Sequence, residues 1–168
     1  MGKFTFRKAA TSNIDSIMTI IRQAVEQMRR EGKHQWDDNY PQRSHIADDI
    51  ARGCGYMMFC GDQPAAYGAI MFGGEPAYNS IRGRWLTDGP YIVLHRLAVA
   101  DAMKGRGVAV RFIDEAEKMA VGNGVHSFKV DTNHDNARML RVLDKLGFTH
   151  CGYISYPQGD RMAYEKLL

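Results

Sequence analysis

Residues 91–119 read YIVLHRLAVADAMKGRGVAVRFIDEAEKM, and the remainder of the chain is organised around them. The run is an apolar strand, a short loop holding KGRGVA, and an amphipathic helix that opens at the glycines of the loop. Glycines at 105 and 107 let backbone N–H groups approach an anion closely. The helix that follows directs its unpaired N–H groups and positive dipole end to the same place. Such a loop is suited to a phosphate.

Two phosphate-binding designs fit the residues poorly. A P-loop requires G-x-x-x-x-G-K-[ST], and no Lys-Ser or Lys-Thr follows either glycine. A dinucleotide-binding turn, G-x-G-x-x-G, is matched at Gly105 and Gly107, and Asp131 at the end of the next strand stands where an acidic ribose ligand would. Val110 takes the place of the third glycine, however, and residues 100–104 separate the strand from the first one. The dinucleotide turn follows its strand immediately, which leaves it the weaker alternative.

A third design fits better. LAV at 97–99 followed by KGRGVA resembles the acyl-coenzyme A loop of the GNAT N-acetyltransferases, whose pattern is [QR]-x-x-G-x-[GA] after a Leu-Ala-Val-like strand end. Gly107 and Ala109 occupy the two small positions, and Lys104 replaces the usual Gln or Arg. Downstream, DTNHDNARMLRVLDKLGF at 131–148 resembles the second signature of that family, a strand, an Asn, a helix and Gly-Phe. The resemblance implies an α/β GNAT fold in one domain over residues 1–168. In that fold the strand before the loop and the strand after its helix splay apart, and the pantetheine arm lies between them. It also implies acetyl-coenzyme A as acyl donor. Leu97, Ala98 and Val99, the main chain of Lys104, Gly105, Arg106, Gly107, Val108 and Ala109, and Asn133 or Asn136 would hold it. Asn136 fits better because it opens the last helix, and Arg106 or Arg111 would meet the ribose phosphate.

Composition narrows the class. With 168 residues and 45% apolar content the chain suffices for one domain with a core. A net charge of +3, with no basic block or aromatic ladder, argues against a nucleic-acid partner. Cys54, Cys60 and Cys151 lack metal-ligand spacing, so no metal is expected and the thiols read as reduced packing residues. The start MGKFTF has no apolar signal core, Phe6 stands where a myristoylation site needs Ser or Thr, and no run approaches the ~20 apolar residues of a membrane span. The expectation is a cytoplasmic monomer or homodimer acting on a small-molecule or peptide amine, without a membrane partner.

Periodicity places the remaining elements. Phe4 and Phe6 alternate in a strand over 3–8, and Ser12 looks like the N-cap of a helix carrying Ile14, Ile17, Met18, Ile21, Val25 and Met28, which ends near Gly32. A second helix is expected over 44–52, and strands over 56–60 and 65–72 are joined by the turn GDQP. Residues 73–90 show no periodicity and read as a long loop. Strand 91–99 puts Tyr91, Val93, His95, Leu97 and Val99 on one face. Helix 107–122, strand 127–132, a helix capped by Gly147, and a hairpin of 149–156 with 161–166 complete the order.

The implied reaction sets three demands: a neutral amine, stabilisation of the oxyanion, and a proton for the departing thiolate. A primary amine with a pKa of ~10.4 is almost wholly protonated at neutral pH, so a general base helps. His95 is the first candidate, since imidazole titrates near neutrality and LHRLAV resembles LHVLAV of the arylalkylamine N-acetyltransferases, where that His serves a proton relay. A His buried in the sheet core is the competing role, and Glu75 is a second base. Many family members carry an acid Tyr four residues before the Gly of Gly-Phe, where this chain has Leu143. Tyr153 and Tyr156 are the substitutes, unless they only pack. The α1–α2 linker of the family walls the acceptor pocket, which assigns Trp36, Asp37 and Asp38 to substrate binding, against a Trp plugging the core edge beside an acidic turn. A GNAT-fold module that binds acyl-coenzyme A without catalysis is the alternative outside the enzymes.

Overall fold

The alternation around Phe4 and Phe6 becomes β1 (Phe4–Lys8) in the computed structural model, which describes residues 2–168. There follow α1 (Ile14–Arg30), α2 (Arg43–Ala51), β2 (Gly55–Cys60), β3 (Gln63–Phe72), β4 (Arg82–Gly83), β5 (Ile92–Val99), α3 (Val108–Gly122), β6 (Ser127–Thr132), α4 (Ala137–Lys145), β7 (Thr149–Tyr156) and β8 (Gly159–Leu167). This is an α/β fold with parallel and antiparallel strand pairs. The chain gathers into two compact units, one of residues 2–70 with His95–Glu115 and one of Met71–Leu94 with Ala116–Leu168. Strand β5 and helix α3 run through both.

In the first unit the strand order is β1-β2-β3-β5, with β1 and β2 antiparallel from Phe4↔Cys60 to Lys8↔Tyr56 and β2 and β3 forming a hairpin. Helix α1 buries Ile14, Ile17, Ile20, Ile21 and Val25, the stripe its spacing dictates. Phe6 stacks on Tyr56 at 5.3 Å and meets the ring of Phe112 of α3 edge-on at 5.2 Å, in the offset arrangements aromatic rings prefer. Ser12 does not cap α1. It lies in a 3₁₀ turn over Thr11–Asn13 that passes directly into the helix, and the Asn13 side chain turns back to accept from Ala10 N–H at 2.8 Å.

The second unit has the order β5-β6-β8-β7-β4. The parallel β5–β6 ladder consists of Ile92↔Phe128 and Val93↔Lys129 among the described residues, whereas β6 pairs with β8 along its full length, Ser127↔Leu167 to Thr132↔Met162. The β7–β8 hairpin turns tightly, with Tyr156 opposite Gly159, so β8 begins two residues earlier than the pattern suggests. Residues 73–90 are also less irregular than expected. They hold a 3₁₀ turn (Pro76–Ser80) and the two-residue β4, which pairs with β7 through Gly83↔Gly152. A Cβ on Gly83 would lie 2.2 Å from the Cys151 carbonyl oxygen, so only glycine allows the two backbones to pass this closely.

The four α-helices among the described residues close in one way, illustrated by α4. Gly147 N–H donates to Asp144 O at 3.1 Å and Phe148 N–H to Leu143 O at 3.0 Å, a Schellman motif in which Gly147 takes φ 84°. The Gly-Phe pair at 147–148 is thus a helix stop.

Candidate functional site

Strand β5 delivers the chain to the glycine loop. Its regular backbone breaks at Arg96, the one non-glycine residue with a left-handed conformation among those described (φ 56°), a feature the single-face assignment of 91–99 does not include. The guanidinium of Arg96 donates to both carboxylate oxygens of Asp49 on α2, and Nη1 donates to the Tyr40 hydroxyl at 3.0 Å. Tyr67 of β3 donates to Asp49 at 2.6 Å. Burial, then the hydrogen bond to Asp49, pushes the Tyr67 hydroxyl above its ordinary range. His95, the residue before Arg96, is half-buried.

Past Val99 a 3₁₀ turn (Asp101–Met103) leads to the loop. It is fastened to α1: Gln23 accepts from Asp101 N–H at 2.9 Å, and Lys104 binds the side chains of Gln27 and Asp101. Lys104 thereby braces the loop. Gly105 (φ 77°) and Gly107 (φ 71°) are left-handed, a conformation costing an L-residue roughly 1–2 kcal/mol. A Cβ at either position would touch nothing within 4 Å. Conformation fixes these glycines, then, while the space beside them stays open. The first main-chain bond of α3 is Arg111 N–H to Gly107 O at 3.0 Å, and the amides of Val108, Ala109 and Val110 precede it as the orphan donors of a helix start. Arg106 contacts the sulfur of Met103 at 3.7 Å, and Arg111 lies over the Phe4 ring at 4.7 Å. Open space beside the glycines, the amides of a helix start and nearby guanidinium groups fit a pyrophosphate.

The acceptor-side expectations in the same unit divide. Trp36 is 8% exposed. Asp37 and Asp38 line a groove of about 480 Å³ with Met18, Ile21 and Arg43. Asp37 Oδ1 accepts from the amides of Asn39 at 2.7 Å and Tyr40 at 3.1 Å, which makes it a turn former, and Asp38 pairs with Arg29 at 2.8 Å.

The second unit carries the remaining candidates. Tyr78 and Tyr156 both donate to Asp131 Oδ2, at 2.7 and 2.9 Å, and Trp85 Nε1–H donates to the Tyr78 carbonyl at 2.9 Å. Burial first, then the Asp131 charge, raises both tyrosine hydroxyls well above the ordinary range. Glu75 contributes to both shifts, and its Oε1 accepts from Ala77 N–H at 3.2 Å. Glu75, Tyr156 and Asp131 therefore form one cluster, to which the sequence pattern gave no Tyr78. Tyr153, three residues from Tyr156 on β7, projects to the other face, where it is 41% exposed beside His150 and Arg82. Asn136 caps α4, accepting from Met139 N–H at 3.3 Å and donating to Thr132 at 3.2 Å, and Asn133 donates to Asp135 at 2.8 Å. Leu143 is fully buried. Among the described residues no group of three His, Cys, Asp or Glu side chains could hold a metal, and no helix is long and apolar enough to cross a membrane.

A strand, a left-handed glycine loop and a helix start, in that order, are the local structure of an α/β protein with a loop suited to an anion. The model of the acetyltransferase (GNAT) family matches residues 19–148, and the chain belongs to that family. A GNAT-family acetyltransferase from Streptococcus agalactiae is 34% identical, with a TM-score of 0.89 over 98% of this chain and 95% of that one. One from Listeria monocytogenes is 21% identical, with a TM-score of 0.77 over 98% and 95%. The Salmonella typhimurium protein yncA, solved with its cofactor acetyl-CoA, is 17% identical, with a TM-score of 0.68 over 98% and 94%. Among curated protein sequences no match is found.

Proposed function

We propose that the protein transfers the acetyl group of acetyl-coenzyme A directly to the amine of a small-molecule or peptide acceptor. The observation that carries this reading is the loop at 104–109, where two left-handed glycines beside open space lead into the first turn of α3. In this reading the main chain of Lys104 to Ala109 holds the pyrophosphate, Arg106 or Arg111 meets the ribose phosphate, and the β5 main chain at 97–99 pairs with the amides of pantetheine as an added strand would. Asn136 contributes from the start of α4 while still capping it. When bound, acetyl-coenzyme A supplies an activated acyl carbon. His95 takes the acceptor's proton, directly or through water, with Glu75 as its rival. Tyr156 keeps its own proton at neutral pH, as its raised hydroxyl requires, and so qualifies as donor to the leaving sulfur; Tyr153 is its exposed alternative. A thiol pKa of ~8.5 also lets the sulfur leave unassisted. Trp36, Asp37 and Asp38 serve the acceptor side.

The test is a thermal-shift panel of acetyl-coenzyme A, coenzyme A, NAD and FAD, followed by an amine screen for thiol release. Stabilisation by the two coenzymes and amine-dependent thiol release are expected. Stabilisation by NAD or FAD alone would return the loop to the dinucleotide class. A second reading, a binding module without catalysis, is favoured by Leu143, whose fully buried side chain stands where family members carry an acid Tyr. Coenzyme stabilisation without thiol release across the amine screen is its signature.

A further inference from the structure

Lys129 lies in the middle of β6, 3% exposed, opposite Glu165 of β8 in the antiparallel ladder. Glu165, itself fully buried, accepts from Leu86 N–H at 2.7 Å, Thr87 Oγ1 at 2.6 Å and Ser127 Oγ at 2.7 Å. Those three neutral donors occupy the carboxylate, whose charge still acts on the Lys129 ammonium. Its Nζ sits 4.1 Å from the centroid of the Tyr91 ring and 4.5 Å from that of Trp85. Among the described residues no hydrogen-bond or ion-pair partner reaches Lys129. It lines instead a cavity of about 330 Å³ with Tyr78, Arg84, Trp85, Asp88 and Tyr91.

We propose that this cavity binds a small organic monocarboxylate with an apolar or planar body, the carboxylate accepting from the Lys129 ammonium. An ammonium carries three donors; open to the cavity rather than sealed in the core, and favoured there by cation–π attraction to the two rings, it can offer them to a bound acceptor. Burial pushes the Lys129 amine below its ordinary range, opposed by the charges of Glu165 and Asp88. A carboxylate bound beside it would favour the charged form further. Aromatic walls suit an apolar or planar body. Arg84 adds a second cation, while Asp88 limits the total charge the cavity tolerates, favouring one negative charge over two. The volume falls at the small end of the range for ligand sites. None of the cavity's residues belongs to the glycine loop, and its one link to the acetyl-transfer reading is Tyr78, which lines the cavity and shares Asp131 with Tyr156.

The test is calorimetric titration of the whole protein with phenylacetate, benzoate and hexanoate, with phenylacetamide as the uncharged match and inorganic phosphate as the alternative anion. Saturable binding of at least one carboxylate is expected, with phenylacetamide at least about tenfold weaker than phenylacetate. Lys129→Met should lose at least about tenfold, and Arg84→Gln a few-fold. Absence of saturable binding for all three carboxylates, equal binding of phenylacetamide, or a stronger response to phosphate overturns the proposal. The wild-type arms decide it even where Lys129→Met fails to fold.

Discussion

Arg96 lays its guanidinium fork across the Asp49 carboxylate, Nε at 2.8 Å from one oxygen and Nη2 at 2.5 Å from the other. Asp49 is 3% exposed and also accepts from Tyr67, so the pair holds α2, β3 and the left-handed turn of β5 together. Removing one partner of a buried pair leaves a charge uncompensated, at a cost of about 3–5 kcal/mol. Asp49→Ala should therefore lower urea-unfolding stability by that amount. Asp49→Leu combined with Arg96→Met should recover much of it, because no charge is then left buried alone. Asp48→Ala next to it should cost little, since Asp48 only meets Arg52 at the surface.

The glycine loop gives a second test. Gly107→Ala and Gly107→Glu carry the same backbone penalty at φ 71°, about 1–2 kcal/mol. Neither Cβ meets a neighbour within 4 Å, so both should fold. The glutamate adds bulk and negative charge beside the amides of α3 and should abolish the Tm shift produced by coenzyme A. A coenzyme-induced shift in Gly107→Glu equal to that of the wild type would remove the loop from the binding site.

How much of this was legible follows from which features are local. The strand, the glycines, the helix start and the Gly-Phe stop each depend on a few neighbouring residues, and the sequence displays them directly. Asp49 is different. Asp48 and Asp49 are adjacent acids about 100° apart on α2, and only Tyr67 and Arg96, distant in sequence, select the second. The left-handed Arg96 leaves no mark in an otherwise alternating strand. Lys129 and Asp131 alternate with Phe128 and Val130 as a solvent-facing row would, yet Tyr78, Trp85 and Tyr91 supply partners and walls for that row from 78–91, a segment without periodicity. Strand β4 is two residues long, too short for any alternation to show.

Alkaline pH probes the tyrosines. Tyr67, Tyr78 and Tyr156 all have hydroxyls raised above the ordinary 10.0. Above about pH 10 the unfolded chain loses these protons while the folded protein keeps them, so the unfolded state binds fewer protons and stability falls as pH rises. The stabilisation is fully present below pH 10 and is lost progressively above it. Each such tyrosine adds about 1.4 kcal/mol per pH unit to the slope. Tyr78→Phe should cost about 1 kcal/mol near neutrality for the lost bond to Asp131 and flatten the alkaline slope by one tyrosine's share. An unchanged slope in unfolding titrations between pH 10 and 11 would contradict the assignment.

His95 is the candidate base on β5, one residue before the turn that Asp49 locks. If it removes the acceptor's proton, kcat/KM should rise with pH through an inflection belonging to the free enzyme, and His95→Gln should lose that inflection. The loss at neutral pH should be about 10²-fold or more, recovering in part at high pH as the amine deprotonates in solution. Coenzyme A should still raise the Tm of the variant, because the glycine loop is untouched. A folded Gln variant with a near-normal rate and the wild-type pH profile would make His95 a packing residue and move the role to Glu75. Glu75→Gln then becomes the decisive variant. Its side chain caps the turn at Pro76–Ser80 through Ala77 N–H, an acceptor role that the amide oxygen of Gln preserves, so a fall in rate without a fall in stability would mark the carboxylate as the base.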